Sequence, residues 1–126
     1  MRDCISAARV GEPRTNAEGS STVDFRFPPD DPTFAGHFPG RPLLPGVYQL
    51  EMARMAAEAV LKCPLAVQEI TRAKFSRPIG PTEIVRVELK FAEKPAIIQL
   101  RAGLSVNGQP AGEILMQLTK IHEAMA

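Results

Sequence analysis

Apolar and polar residues alternate in two segments that lie on either side of the middle of the chain. In residues 21–27 (STVDFRF) the apolar side chains occupy every second position. Residues 83–91 (EIVRVELKF) repeat the pattern. One face would carry Ile84, Arg86, Glu88 and Lys90, and the other Val85, Val87, Leu89 and Phe91. Because successive side chains of a strand point to opposite faces, both segments are predicted to be strands with one buried face.

The second half of the chain contains further strand patterns. Residues 67–75 precede a break that is rich in proline and glycine, and residues 97–106 and 112–121 flank Asn107 and Gly108. Asn-Gly between two strand patterns is a strong hairpin signal, since both residues accept a positive φ. We therefore expect the last two strands to form a hairpin.

Residues 47–62 (VYQLEMARMAAEAVLK) form the one convincing helical pattern. They are rich in good helix formers, and proline and glycine lie just before them. Small apolar residues project to one side, namely Ala53, Ala56, Ala57 and Val60. The opposite side carries Tyr48, Glu51, Arg54, Glu58 and Lys62, which is typical of a solvated face with a Glu58–Lys62 pair. Gln49 projects among the alanines, and the pattern does not explain it.

The order of these elements predicts an α+β domain in which a sheet wraps one long helix. The length of 126 residues fits a single domain spanning residues 1–126. Residues 1–20 have no strong pattern and are predicted to be a lead-in with at most a weak strand.

Composition excludes several classes of protein. A net charge of +1 argues against an electrostatically driven nucleic-acid binder, and no apolar run reaches the length of a membrane span. Cys4 and Cys63 form no metal-ligand or redox motif, which favours the reducing cytoplasm. The N-terminus has no apolar core of a signal peptide. No metal or nucleotide site is expected.

The segment before the helix concentrates proline, glycine and one of the two histidines. It reads HFPGRPLLPGV from His37 to Val47, with Glu51 four residues later. This segment resembles the signature of 3-hydroxyacyl-acyl-carrier-protein dehydratases of the FabZ type. Residues 73–79 (AKFSRPI) and the turn at 81–83 (PTE) are also similar to family segments. The resemblance covers residues 21–121 and implies the hotdog fold, a curved antiparallel sheet around one central helix.

The resemblance implies loss of water from a 3-hydroxyacyl thioester, with a catalytic base and a catalytic acid. His37 would be the base, since imidazole titrates near neutrality, and Glu51 would be the acid. An apolar tunnel would favour the protonated form of Glu51 by desolvation. The backbone N–H groups of Gly46 and Val47, at the positive end of the helix, would polarise the thioester carbonyl.

The resemblance also implies how the substrate is carried and bound. No cofactor is expected, because the acyl chain would arrive on the phosphopantetheine arm of an acyl carrier protein. Arg72, Lys74 and Arg77 would form a basic cluster facing that acidic protein, or a solvated sheet edge. The acyl tunnel would be lined by Phe38, Leu43, Leu44 and Met55, although apolar residues near a site are also ordinary core.

A homodimer with shared active sites follows from the same resemblance, His37 coming from one chain and Glu51 from the other. Trimers of dimers are compatible with it. His122 is predicted to be an exposed residue without a role. An acyl-thioester hydrolase and a non-catalytic acyl-binding subunit are the alternatives, because hotdog proteins serve several functions.

Three departures from the family pattern bear on these alternatives. The expected N-terminal motif is missing, Met55 stands where glutamine is common, and Thr82 replaces a turn glycine. The first of these leaves the preferred chain length open. Glutamate instead of aspartate at position 51 resembles the branch that does not isomerise the double bond.

Overall fold

Two helices and six strands follow one another in the computed structural model, which describes residues 1–31, 34 and 43–121. In chain order they are α1 (Arg2–Ala8), β1 (Arg9–Thr15), β2 (Ser21–Arg26), α2 (Gly46–Leu61), β3 (Leu65–Phe75), β4 (Ile84–Lys94), β5 (Ile97–Val106) and β6 (Gln109–Lys120). No helix in the described part of the chain is long and apolar enough to cross a membrane.

The strands form one antiparallel sheet in the order β1-β2-β4-β5-β6-β3. β2 pairs with β4 although α2 and β3 lie between them in the sequence. The chain therefore leaves the sheet after β2, forms the helix, adds β3 at the far edge and returns. This is the predicted hotdog architecture.

The alternation in β4 places its apolar residues in the core. Val85, Val87 and Leu89 are fully buried, whereas Ile84 is half exposed on the other face. The hairpin between β5 and β6 turns at Asn107 and Gly108, whose φ angles are 53° and 78°. Both observations confirm the predictions from the sequence.

The helix α2 lies against the sheet through its small residues. Ala53, Ala56 and Ala57 are completely buried, as predicted, and let the sheet approach the helix closely. The helix begins after Pro45 and ends at Lys62, which has a left-handed conformation. Its 16 residues span about 24 Å.

The N-terminal 20 residues contain more structure than the sequence predicts. The expected weak strand is β1, but the short helix α1 was not predicted. α1 places Ile5 and Ala8 in the core. Two buried residues in seven are too few to produce a recognisable helical period, and β1 is exposed along nearly its whole length.

Thr82 occupies the turn before β4 with a φ of 68°. A positive φ is strained for a β-branched residue and normal for glycine, which is the residue that the FabZ-type pattern has there. The Thr82 N–H donates to the carbonyl of Phe27 at 2.8 Å, so the turn is tied to the end of β2.

Candidate active site

The N-terminus of α2 forms one wall of a cleft. The first hydrogen bonds of the helix are those from the N–H groups of Tyr48 and Gln49 to the carbonyl of Pro45. Gly46 and Val47 precede them, so neither N–H has an acceptor within the helix. The partial positive charge of the helix end is concentrated at these groups. This is the place where the family resemblance implies a polarising site for a carbonyl.

Close packing of β3 against the helix start shapes the cleft. A Cβ atom at Gly46 would lie 2.8 Å from Cε2 of Phe75, so only glycine permits this approach without a shift of the ring. The N–H of Leu44 donates to the carbonyl of Ile79 at 2.7 Å and fixes the segment that enters the helix. The residues after β3 thus form the wall opposite the helix start.

The resulting cleft has a volume of about 360 Å³. Its lining combines four of the predicted site residues with residues of the helix start and of the segment after β3. It consists of Leu43, Leu44, Pro45, Gly46, Gln49, Phe75, Ser76, Arg77 and Pro78.

Two other predicted site residues of α2 are not part of this lining. Val47 is more than half exposed beside the cleft, and Met55 lies further along α2 and packs against the core. His37, Phe38 and His122 lie outside the described residues.

Gln49 is a residue of the cleft that the sequence pattern left unexplained. Its side chain is almost completely buried, and its Nε2 donates to the carbonyl of Leu44 at 3.3 Å. Within the described part of the chain its Oε1 has no hydrogen-bond partner. A polar residue in a stripe of alanines was the available signal, since a buried amide usually has hydrogen-bond partners nearby.

Glu51 lies on a half-buried face of α2, and its carboxylate is paired with Arg54. Nε of Arg54 is 3.0 Å and 3.1 Å from the two carboxylate oxygens, and Nη2 also donates to Oε1. On its other side, Nη1 of Arg54 lies 2.8 Å from Oε2 of Glu58. The hydrogen bond with Glu51 is the largest cause that raises the pKa of Arg54.

This arrangement corrects the prediction of a solvated face with a Glu58–Lys62 pair. Glu58 is only 17% exposed and pairs with Arg54 and Arg2, while Lys62 forms the C-cap of the helix. Oε2 of Glu58 also accepts the N–H of Leu65 at 2.8 Å, and the carbonyl of Leu65 accepts Nη1 of Arg54 at 3.0 Å. The start of β3 covers this face, which the helical period alone cannot reveal.

The structure divides the three basic residues between two surfaces. Arg72 and Lys74 lie on a shallow groove on the outer face of the sheet, together with Glu113. Arg72 is 3.6 Å from that carboxylate. Arg77 instead lines the cleft and pairs with Glu83 at 2.9 Å.

The pair between Arg77 and Glu83 closes the turn before β4. Hydrogen bonds from Arg77 and from the N–H of Gly80 lower the pKa of Glu83. The guanidinium of Arg77 is therefore held at the rim of the cleft by a fixed negative charge.

Comparison with known proteins places this geometry in a family. The profile of the ApeI-like family, described as ApeI dehydratase, matches residues 13–109. The chain belongs to the ApeI-like dehydratases. The match includes β2, the signature segment, α2 and the cleft, and it confirms the resemblance drawn from the sequence.

Similar proteins include both curated relatives and solved structures. The 3-hydroxyacyl-[acyl-carrier-protein] dehydratase FabZ of Roseiflexus sp. is 32% identical over 86% of this ApeI-like chain and 80% of its own length. For six such FabZ relatives, this chain covers between 58% and 80% of their lengths.

Two solved structures share the architecture. A chain from the dehydratase heterocomplex ApeI:P of Xenorhabdus doucetiae has a TM-score of 0.71 and 25% identity, covering 88% of this chain and 96% of that chain. The fluoroacetyl-CoA thioesterase FlK has a TM-score of 0.69 at 16% identity, covering 86% of this chain and 88% of FlK. At that identity FlK shows the hotdog fold alone.

Proposed function

We propose that this protein removes water reversibly from 3-hydroxyacyl thioesters carried on an acyl carrier protein. One observation carries the proposal. The end of the signature segment forms, with Phe75 and Arg77, a cleft at the N-terminus of α2, where a thioester carbonyl can meet backbone N–H groups. The substrate class is the one for which the FabZ relatives are named.

The reaction requires two proton transfers and one polarised carbonyl. His37 removes a proton from Cα, and the electron pair of that C–H bond becomes the new double bond between Cα and C3. The C3–O bond breaks as Glu51 donates a proton to the hydroxyl, which leaves as water. Each acid–base group supplies about 10²–10⁴-fold in rate, and an oriented donor to the thioester oxygen about 10²–10³-fold.

Gly46 and Val47 supply that oriented donor in this proposal. Their N–H groups precede the first hydrogen bonds of α2, and negative charge that develops on the thioester oxygen is stabilised at a helix N-terminus. Leu43 and Leu44 line the same cleft and give it apolar surface for the acyl chain. Arg77 at the rim is a cation for the phosphate of the pantetheine arm.

A homodimer completes the site in this proposal. β3 is an edge strand, and Val67, Ile70 and Phe75 are exposed on it by 39–44%. Exposed apolar side chains on an open strand edge favour pairing with a second sheet. Phe75 is also the residue that packs on Gly46, so the edge adjoins the cleft. A partner chain on this edge is well placed to contribute to the site.

The first prediction is turnover without release of thiol. The purified protein should interconvert a 3-hydroxyacyl and an enoyl thioester of acyl carrier protein, followed by enoyl absorbance and a free-thiol reagent. His37→Ala and Glu51→Gln should each lower kcat by at least about 10²-fold, because each removes one proton-transfer group.

Matched controls are available for both variants. His122→Ala removes the other histidine of the chain, and Glu88→Gln changes an exposed carboxylate on β4. Both should keep the wild-type rate. Release of thiol would instead indicate a hydrolase, and binding without turnover a non-catalytic subunit. Wild-type rates in both His37→Ala and Glu51→Gln would overturn the site assignment.

A further inference from the structure

Arg54 has a more constrained environment than an ordinary arginine on a helix surface. Its guanidinium contacts the carboxylates of Glu51 and Glu58 and the carbonyl of Leu65, and its side chain is only 12% exposed. An exposed ion pair at i and i+3 contributes little to stability, because solvent screens it and both side chains move. Here Nη1 of the guanidinium donates to the carbonyl of Leu65 at the start of β3. The Nε edge, which contacts Glu51, is therefore held in one orientation.

Glu58 also contacts β3, and it connects this group of residues to α1. Oε2 of Glu58 accepts the N–H of Leu65 at 2.8 Å, so Glu58 and Arg54 bind the two polar groups of one residue of β3. Oε1 of Glu58 lies 3.3 Å from Nη2 of Arg2 on α1. The guanidinium thus has little rotational freedom, and its Nε edge faces Glu51.

We propose that Arg54 is a positioning residue for Glu51, which orients the carboxyl group and stabilises the negative charge that remains after proton donation. The catalytic consequence of this inference rests on the proposed function, whereas the orientation of the Glu51 carboxyl group by Arg54 does not. Glu51 begins dehydration protonated and ends it as a carboxylate. A fixed cation beside it stabilises the negative charge that remains on Glu51 after the donation.

The charged groups around the Glu51 carboxyl group come from two helices. They are Arg54 and Glu58 on α2 and Arg2 on α1, whereas β3 contributes the backbone of Leu65. Removal of Arg54 should release the Glu51 carboxyl group. Removal of the Glu58 carboxylate should loosen the guanidinium that holds it.

The test observes the Glu51 carboxyl group directly and then the rate. Protein carrying 13C-labelled glutamate is studied by NMR at neutral pH, and the Glu51 carboxyl signal is identified by its absence in Glu51→Gln. In Arg54→Gln the chemical shift of this signal should change, while Arg54→Lys, which keeps the charge, should stay close to wild type. Arg101→Gln is the matched control and should leave the signal unchanged, since Arg101 is 67% exposed and pairs with Glu113.

Kinetics provide the second readout. Arg54→Gln should lower kcat for dehydration about 10- to 100-fold through misplacement of the acid, with KM changed less. In a Glu51→Gln background, Arg54→Gln should have no further effect, because the group that it positions is gone.

The outcomes separate the two proposals. An unchanged Glu51 carboxyl signal in folded Arg54→Gln would overturn the role of Arg54, whether or not the protein dehydrates the substrate. Should Arg54→Gln not fold, Glu58→Gln decides the question: a changed Glu51 signal supports the role and an unchanged one refutes it. Absence of dehydration by the wild-type protein, with the expected changes of the Glu51 signal, would refute the proposed function alone.

Discussion

Asp24 lies on the outer face of the sheet between two arginines. Nη2 of Arg14 is 3.1 Å from Oδ2, and Nε of Arg86 is 3.1 Å from Oδ1. Burial would raise the pKa of Asp24, but the hydrogen bonds from Arg86 and Arg14 together outweigh it, and the pKa is lowered. One carboxylate thereby joins β1, β2 and β4. The period-2 pattern predicts the position of Asp24 on the polar face, but it does not reveal the two partners.

Acid should weaken this junction in a defined direction. A carboxyl group whose pKa is lowered in the folded state contributes stability above its unfolded value, about 3.9, and that contribution is lost as pH falls through the lower folded value. The free energy of unfolding, measured by urea denaturation, should therefore fall with decreasing pH in this window. Asp24→Asn should lower it by about 1–3 kcal/mol at neutral pH and flatten the dependence.

The control for this experiment is Glu88→Gln. Glu88 lies on the same outer face of β4, but no ion pair ties it to the neighbouring strands among the described residues. Its stability profile should follow that of the wild type. If the unfolding free energies of Asp24→Asn and of the wild type fell equally with decreasing pH, Asp24 would not be the cause of the acid sensitivity.

The contact between the helix start and the end of β3 shapes the cleft. Gly46 is the first residue of α2, and the ring of Phe75 lies where its side chain would be. The proline and glycine before the helix allowed its start to be predicted to within one residue. The partner that requires glycine there comes from the next strand, 29 positions later, and the sequence does not identify it.

Gly46→Ala should force the ring of Phe75 away from the helix start. We expect a loss of about 1–2 kcal/mol in unfolding free energy from overpacking, together with reduced turnover because the cleft changes shape. Phe75→Leu in the same chain should recover part of the stability. Both effects are measured by denaturation and by the dehydration assay.

Gly103→Ala is the matched control within β5. A Cβ atom there has no neighbour within 4 Å, so the substitution should leave stability unchanged or raise it by about 0.4–1 kcal/mol. If Gly46→Ala were as stable and as active as Gly103→Ala, the contact with Phe75 would have no role in shaping the cleft.

The six-stranded sheet ends in two different edges. β1 is mostly polar and exposed, whereas β3 carries exposed apolar side chains and adjoins the cleft. An edge with unpaired backbone groups and apolar side chains is unfavourable for a monomer in water. The dimer expected from the family resemblance would cover β3, and the apolar side chains there support it.

Ile70→Lys should therefore shift the protein from dimer to monomer. A lysine at the centre of β3 introduces a charge that a paired edge would have to bury. Analytical ultracentrifugation should give the mass of two chains for the wild type and of one for the variant. Ile84→Lys is the control, because Ile84 is also about half exposed but lies on an interior strand. A monomeric wild type would contradict the dimer.

Local pattern was sufficient to predict most elements. β2, α2, β4 and the final hairpin follow from periodicity and turn chemistry, because a half-buried strand or helix repeats its apolar residues at a fixed spacing. The structure brings Leu43, Leu44 and Gly46 of the signature segment to one cleft. Helix α1 was missed because it is short and buries only two residues.

The sequence by itself determined which faces are buried, where α2 begins and which family the chain resembles. Tertiary structure alone decided that β2 pairs with β4, that Phe75 packs on Gly46 and that Leu65 anchors Arg54 beside Glu51. The reason is physical. Periodicity indicates that a side chain is buried, but it does not identify the distant segment that covers it. That segment is determined by how the whole chain folds around one helix.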